Sequence, residues 1–315
     1  MKKKSIAFAV LGLVITDAAQ AQNAGGPFSI NLDPSSVAAS TSLGWLHGEA
    51  KEYVYDGDSG RKISQLKWKI NNTAIIKGDI SWDTFSWLTL NAKGWSSLGS
   101  SGAKMDDYDW LNDNQSHWTD WSHSPDTHLN YANEYDVNSK LWLLKRPDYK
   151  IGAILGYQQT RFSWTAFGGS YQYDNGTRLG EFPPGVRGIG YQQKFSMPYV
   201  GLNGSYRYRD FEFSTLLKYS SWVKARDNDE HYMRSLTFRD KSQNANYYSA
   251  AVNAGYYVTP NARVFTEFTW SRYARGKGGT QIIDRTSGEK AHIGGDVAGI
   301  ENTNYSVTAG LEYRF

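Results

Sequence analysis

The sequence predicts an all-β protein, a ten-stranded antiparallel transmembrane β-barrel, from three observations. Long stretches alternate apolar and polar side chains, compact turn motifs separate them, and no internal window supplies the ~18 apolar residues of a membrane helix. Alternation of period two puts successive side chains on opposite faces of a strand, so one apolar and one wet face suits a wall between lipid and an aqueous interior. The chain carries 12 Trp and 22 Tyr but no Cys, so it has neither a disulfide framework nor a thiolate metal site.

The elements follow in order. Lys2, Lys3 and Lys4 precede an apolar run from Ile6 to Ile15, and Ala19-Gln20-Ala21 has the small-x-small pattern of a signal peptidase site. Residues 1–21 are therefore expected to be a signal peptide cleaved after Ala21, leaving 22–315 as the barrel. Loss of three lysines and Asp17 takes the formal charge from +3 to +1, which argues against a nucleic-acid partner, since that usually needs a concentrated basic face. Val37, Ala39, Thr41, Leu43 and Trp45 begin the alternation. From Leu66 to Trp82 the even positions are mostly apolar and the odd ones polar, with Ile75 the apolar exception. The pattern returns at Val200–Tyr208 and Ala250–Val258, and closes the chain with Val307, Ala309, Leu311, Tyr313 and Phe315. A terminal aromatic on an alternating last strand resembles the assembly signal of bacterial outer-membrane barrels.

Turn chemistry counts the strands. Tight connections at Asp83–Ser86, Lys145–Asp148, Arg209-Asp210 and Thr259–Asn261 give four hairpins. With the first alternating stretch and the last strand they make ten, with both termini at the short-turn end. The longer connections, roughly 48–63, 96–128, 166–187, 225–242 and 274–301, then face outward, as in outer-membrane barrels. Many strands look longer than the ~9–11 residues a bilayer requires, so the barrel should extend above the outer membrane.

Two acidic clusters fall in those outward connections. Asp227, Asp229 and His231 stand at two-residue spacing, which in extended chain sets them on one face, and Asp107 and Asp109 repeat the geometry. Paired carboxylates cannot both ionise freely, and a nearby His supplies a base that titrates near neutrality. The topology carries both clusters, with Glu52, to one rim. The pattern alone fits a solvated acidic face, a weak cation site or a catalytic centre. No Gly-x-Ser-x-Gly elbow or His-Glu-x-x-His helix is present, and Gly276-Lys277-Gly278-Gly279 lacks phosphate-loop spacing.

Met105-Asp106-Asp107-Tyr108-Asp109-Trp110, the segments 130–136 and 227–234, and Asn253–Ala262 together resemble the omptins. These are outer-membrane endopeptidases of Gram-negative bacteria, and the match is nearest their plasminogen-activating subgroup. The resemblance covers essentially the whole mature chain and implies a monomeric ten-stranded barrel with an extracellular groove. It makes Asp107 with Asp109 one catalytic pair and Asp229 with His231 the other, acting on a water held between them. It makes Glu52 and Asp227 the acidic floor of the S1 pocket, hence cleavage of peptides and exposed protein loops after Arg or Lys. Asp120 matches an acidic residue near the groove, while Ser124 stands where the family has a histidine, with His123 adjacent. No metal or other cofactor is expected, but lipopolysaccharide is expected as activator, held by Tyr157, Arg161 and Lys194; Gln159 replaces an acidic family residue there and Gln243 a basic one. The rival readings are a non-catalytic adhesin and a lipid-modifying barrel enzyme.

Overall fold

The computed structural model describes residues 29–315; the expected signal peptide lies outside the described residues. Among these, eleven strands run in chain order: β1 (Val37–Tyr55), β2 (Lys62–Phe85), β3 (Leu88–Ser97), β4 (Ser101–Asp109), β5 (Asp120–Lys145), β6 (Tyr149–Tyr173), β7 (Arg178–Tyr208), β8 (Phe211–His231), β9 (Leu236–Tyr257), β10 (Ala262–Asp284) and β11 (Lys290–Arg314). All pairings are antiparallel, and β1 bonds to both β2 and β11, which closes the sheet into a barrel. β3 and β4 both lie between β2 and β5, so they are two halves of one stave, interrupted around Gly99 with its φ of 95°. The barrel thus has the ten staves that the turns predict.

The predicted long outer connections are corrected by the structure. Most of their residues are strand, and the outer turns shrink to 56–61, 110–119, 174–177, 232–235 and 285–289. Strands such as β5, with 26 residues, and β7, with 31, carry the ladder well beyond the bilayer. Toward their tips these strands carry polar side chains on both faces, the inward ones including Asp107, Asp109, Asp227 and Asp229, so alternation of apolar and polar fades from the sequence while the hydrogen bonds persist.

The run from Leu66 to Trp82 also hides a change of face. Leu66, Trp68 and Ile70 point into the barrel and are buried, whereas Ala74 and Ile80 are exposed on the outside. The register explains the switch: Leu46 pairs with Thr73 but Gly48 pairs with Ile70, so β2 holds one residue more than β1, and Asn72 takes a φ of 47° there. Ile75, the exception to the alternation, is buried inside, at 1% exposure.

Three layers result. At the short-turn end the outer wall is apolar, with Leu43, Trp45, Leu155, Leu202, Val252 and Val307 exposed, and the interior is a charged cavity of about 490 Å³. Arg263 bridges Glu212 and Glu312 there, both at 3.1 Å, and Lys77 pairs with Glu267. A floor of buried rings lies above: Trp68 stacks on Tyr191 with centroids 5.2 Å apart, Trp164 follows at 6.0 Å, and Phe195 meets Tyr273 at 4.0 Å. Burying each such side chain contributes about 1.5–3 kcal/mol. Over this floor the barrel mouth opens.

Candidate active site

Four staves deliver the site. Asp227, Asp229 and His231 occupy alternate inward positions at the end of β8, and Asp107 and Asp109 do so at the end of β4. β1 adds Glu52 and β9 adds Asp240. The sequence-based expectation of residues in outward connections is corrected: all five acidic-cluster residues belong to the hydrogen-bonded ladder. Asp107 pairs with Leu66 and Ser122, Asp229 with Tyr191 and Phe238.

His231 Nε2 and Asp229 Oδ2 are 2.7 Å apart, and the imidazole packs edge-on against Phe238 at 5.3 Å. Arg285 Nη2 donates to the His231 carbonyl at 3.1 Å, tying the outer end of β8 to the turn after β10. Asp229 Oδ1 is buried with no partner. On β4, Asp107 accepts a long hydrogen bond from Ser64 Oγ at 3.5 Å. Burial raises the Asp107 carboxyl well above the usual range, reinforced by Asp109 and Asp229. Asp109 is raised mainly by burial, against the opposing pull of Ser64, Arg234 and His231. Asp107 thus feels the β8 aspartate and Asp109 feels the imidazole, so the two pairs address one space.

Beside them, carboxylate oxygens of Glu52, Asp227 and Asp240 lie within 4.8 Å of one another. Asp227 accepts from the Tyr191 hydroxyl at 3.1 Å and from the Asp240 backbone N–H at 3.0 Å. Glu52 Oε2 is buried without a partner. Burial and then repulsion from neighbouring carboxylates, Asp229 first for Glu52 and Asp240 first for Asp227, hold both carboxyls well above their ordinary values, and burial takes Asp240 up to about 6.

Asp240 was not legible as a site residue, although its signal exists: a turn at 232–235 fixes a register that sets it beside Asp227. Tyr173 was also missed. Burial, followed by Asp107, Asp109 and Asp120, pushes its phenol up to about 12, which keeps it a neutral donor facing the β4 pair. Asp120 is buried next to Asp109, with which it pairs, and accepts from the Asp174 N–H at 2.6 Å, so it also fixes the turn between β6 and β7. Ser124 faces inward and donates to the Gly168 carbonyl at 2.9 Å. His123 bonds Asp106 at 2.8 Å on the opposite face, so it does not take the place of the family histidine.

On the outer wall Tyr157 and Arg161 are exposed and Lys194 is half-buried. Arg161 pairs with Lys194, Lys194 with Arg226 and Arg226 with Lys241, a row of four cationic residues across β6, β7, β8 and β9.

The described fold and this site agree with known proteins. Residues 33–315 match the model of the omptin family. The chain is 58% identical to the plasminogen activator of Yersinia pestis over 100% of both chains, and 49% identical to protease 7 of Escherichia coli K12 over 97% of this chain and 99% of that one. It superimposes on the crystal structure of the outer membrane protease OmpT from Escherichia coli with a TM-score of 0.88 at 50% identity, covering 92% of this chain and 100% of that one. A likeness that runs through the whole barrel at such identity decides the matter: the chain is a β-barrel of the outer membrane and belongs to the omptin family of proteases.

Proposed function

We propose that the protein is an endopeptidase that cleaves after Arg or Lys in peptides and exposed loops, by direct attack of water. The observation that carries this reading is the Asp229–His231 pair, 2.7 Å apart and facing the Asp107–Asp109 pair at the barrel mouth. His231 takes a proton from the water as its oxygen bonds the scissile carbonyl carbon, and Asp229 orients the ring and favours the imidazolium. The raised carboxyls of Asp107 and Asp109 favour a proton held on that pair, available to the carbonyl oxygen as charge develops there. Collapse of the adduct breaks the C–N bond, and the amine leaves with the proton from His231. Glu52 and Asp227 receive the basic side chain on the amino-terminal side of the cut.

Lipopolysaccharide is the proposed activator and the outer membrane the site of action, with the protein a monomer. The Arg161–Lys194–Arg226–Lys241 row supports lipid phosphate binding, because Arg226 and Lys241 add charge where Gln243 lacks it. Plasminogen and cationic antimicrobial peptides are the candidate substrates. The test is whole cells carrying the protein, given a quenched peptide with paired basic residues: cleavage between or after them is expected. Binding of host protein without cleavage would favour the adhesin reading. Detergent-refolded protein should stay nearly inactive until rough lipopolysaccharide is added, and full activity without it would remove the lipid assignment.

A further inference from the structure

The pocket beside the catalytic pairs holds one carboxylate more than the two proposed to bind substrate. Glu52, Asp227 and Asp240 are 2%, 7% and 4% exposed, and among the described residues no Lys or Arg forms an ion pair with any of them. We infer that Asp240 is a specificity-determining residue whose carboxylate makes this pocket select a guanidinium over an ammonium, hence Arg over Lys. The inference rests on the pocket assignment above and deepens it.

The oxygens decide the selectivity. Asp227 is already engaged on both sides, Oδ1 by the Asp240 N–H at 3.0 Å and Oδ2 by the Tyr191 hydroxyl at 3.1 Å. Each Asp227 oxygen keeps one further lone pair, Asp240 beside Thr280 adds a third carboxylate, and Glu52 Oε2 is buried with nothing to receive. A cation entering this buried space meets carboxylates that approach from three strands, β1, β8 and β9. A guanidinium carries five N–H donors in a planar fork, is weakly hydrated and keeps its proton. An ammonium carries three, is strongly hydrated and loses its proton more readily when buried. Without the Asp240 carboxylate the pocket keeps two carboxylates, of which only Glu52 has a buried oxygen with no partner, a demand that either cation meets.

The bond from Asp240 to Asp227 comes from the backbone N–H, so replacing the side chain leaves it in place. That makes Asp240→Asn and Asp240→Ser suitable probes, with heat-modifiable migration as the check on folding. Matched quenched peptides with Arg, Lys or norleucine before the scissile bond would be compared in lipopolysaccharide and EDTA. Wild type is expected to favour Arg over Lys in kcat/KM by at least about tenfold, and both variants to lose about tenfold of that ratio, mainly through slower Arg cleavage. N-acetyl-arginine amide should likewise inhibit wild type more strongly than N-acetyl-lysine amide, and the two should become similar in the variants. An unchanged Arg-to-Lys ratio in folded variants would overturn the inference and leave the pocket assignment standing, as would equal cleavage of Arg and Lys by wild type. Norleucine cleaved as fast as Arg would remove the pocket assignment itself. Activity lost in EDTA and restored by calcium would make the three carboxylates a cation site and overturn the inference.

Discussion

The barrel treats its carboxylates in opposite ways on the two sides of the aromatic floor. Below it most meet cations: Glu212 and Glu312 share Arg263, Glu267 has Lys77, Asp136 has Lys218, and Asp83 has Arg314, while Glu134 accepts from Gln158 and Thr160. Above it Glu52, Asp107, Asp109, Asp227 and Asp240 crowd together without a Lys or Arg ion pair among the described residues, and Asp229 has only His231. Pairing in the lumen offsets desolvation, so that region is explained by folding alone. The mouth is not, because buried like charges destabilise the chain that carries them. An arrangement so costly to the fold marks the place where charge acts on something from outside.

The largest expected effect is catalytic. His231→Ala or Asp229→Asn should lower kcat/KM on a basic peptide by about 10²–10⁴-fold, the range of a lost general base, while the heat-modifiable barrel still forms. Near-normal turnover in either variant would erase the contrast between the two regions. Lumen substitutions should do the reverse. Lys218→Met leaves Asp136, whose side chain is 0% exposed, without its cation, so a denaturant midpoint should fall by a stability loss of roughly 3–5 kcal/mol, with kcat/KM of the folded fraction unchanged. Glu52→Gln or Asp227→Asn should cost about 2–5 kcal/mol in transition-state binding of an Arg peptide, read as kcat/KM, and little in folding. Equal losses for Arg and norleucine peptides would separate these residues from specificity.

The smallest effect concerns pH and sharpens the comparison most directly. Asp240 is raised from 3.8 to about 6, so the folded protein holds this proton more tightly than the unfolded chain does. Its contribution to stability is full below the unfolded value and is lost as pH rises through about 6, and the raised Glu52, Asp107, Asp109 and Asp227 act in the same direction. Unfolding midpoints should therefore rise as pH falls from 8 to 5. Asp240→Asn should remove part of that slope and stabilise the protein at pH 8, by up to about 2–3 kcal/mol. A wild type that loses stability over the same interval would contradict the raised carboxyls.

Much of this was written in the sequence, though unevenly. Leu43, Val252 and Val307 face lipid while their neighbours face water, so the membrane section declares itself by alternation, and Arg209-Asp210 and Lys145–Asp148 mark its turns. At Asn72 one extra residue reverses the faces of β2 without breaking the apolar pattern, because Trp68 fills a core and Ile80 meets lipid, and hydrophobicity does not tell these apart. The pairs at 107–109 and 227–231 stand out because two-residue spacing is local. Asp240 and Tyr173 come to the site through register, and register depends on where the tips of β8–β9 and β6–β7 turn. Above the lipid that information is carried by backbone hydrogen bonds, which polar sequence does not advertise.

The ring floor bears on permeability. A ten-stave barrel with a charged lumen has the outline of a conduit, but Trp68, Trp164 and Tyr191 are buried across its waist, at 0–1% exposure, and stack into a layer between lumen and mouth. The molecule is a cup. A cell can crowd its surface with such cups without short-circuiting the envelope or admitting small toxic solutes, and the acidic mouth can be reshaped by mutation without opening a leak.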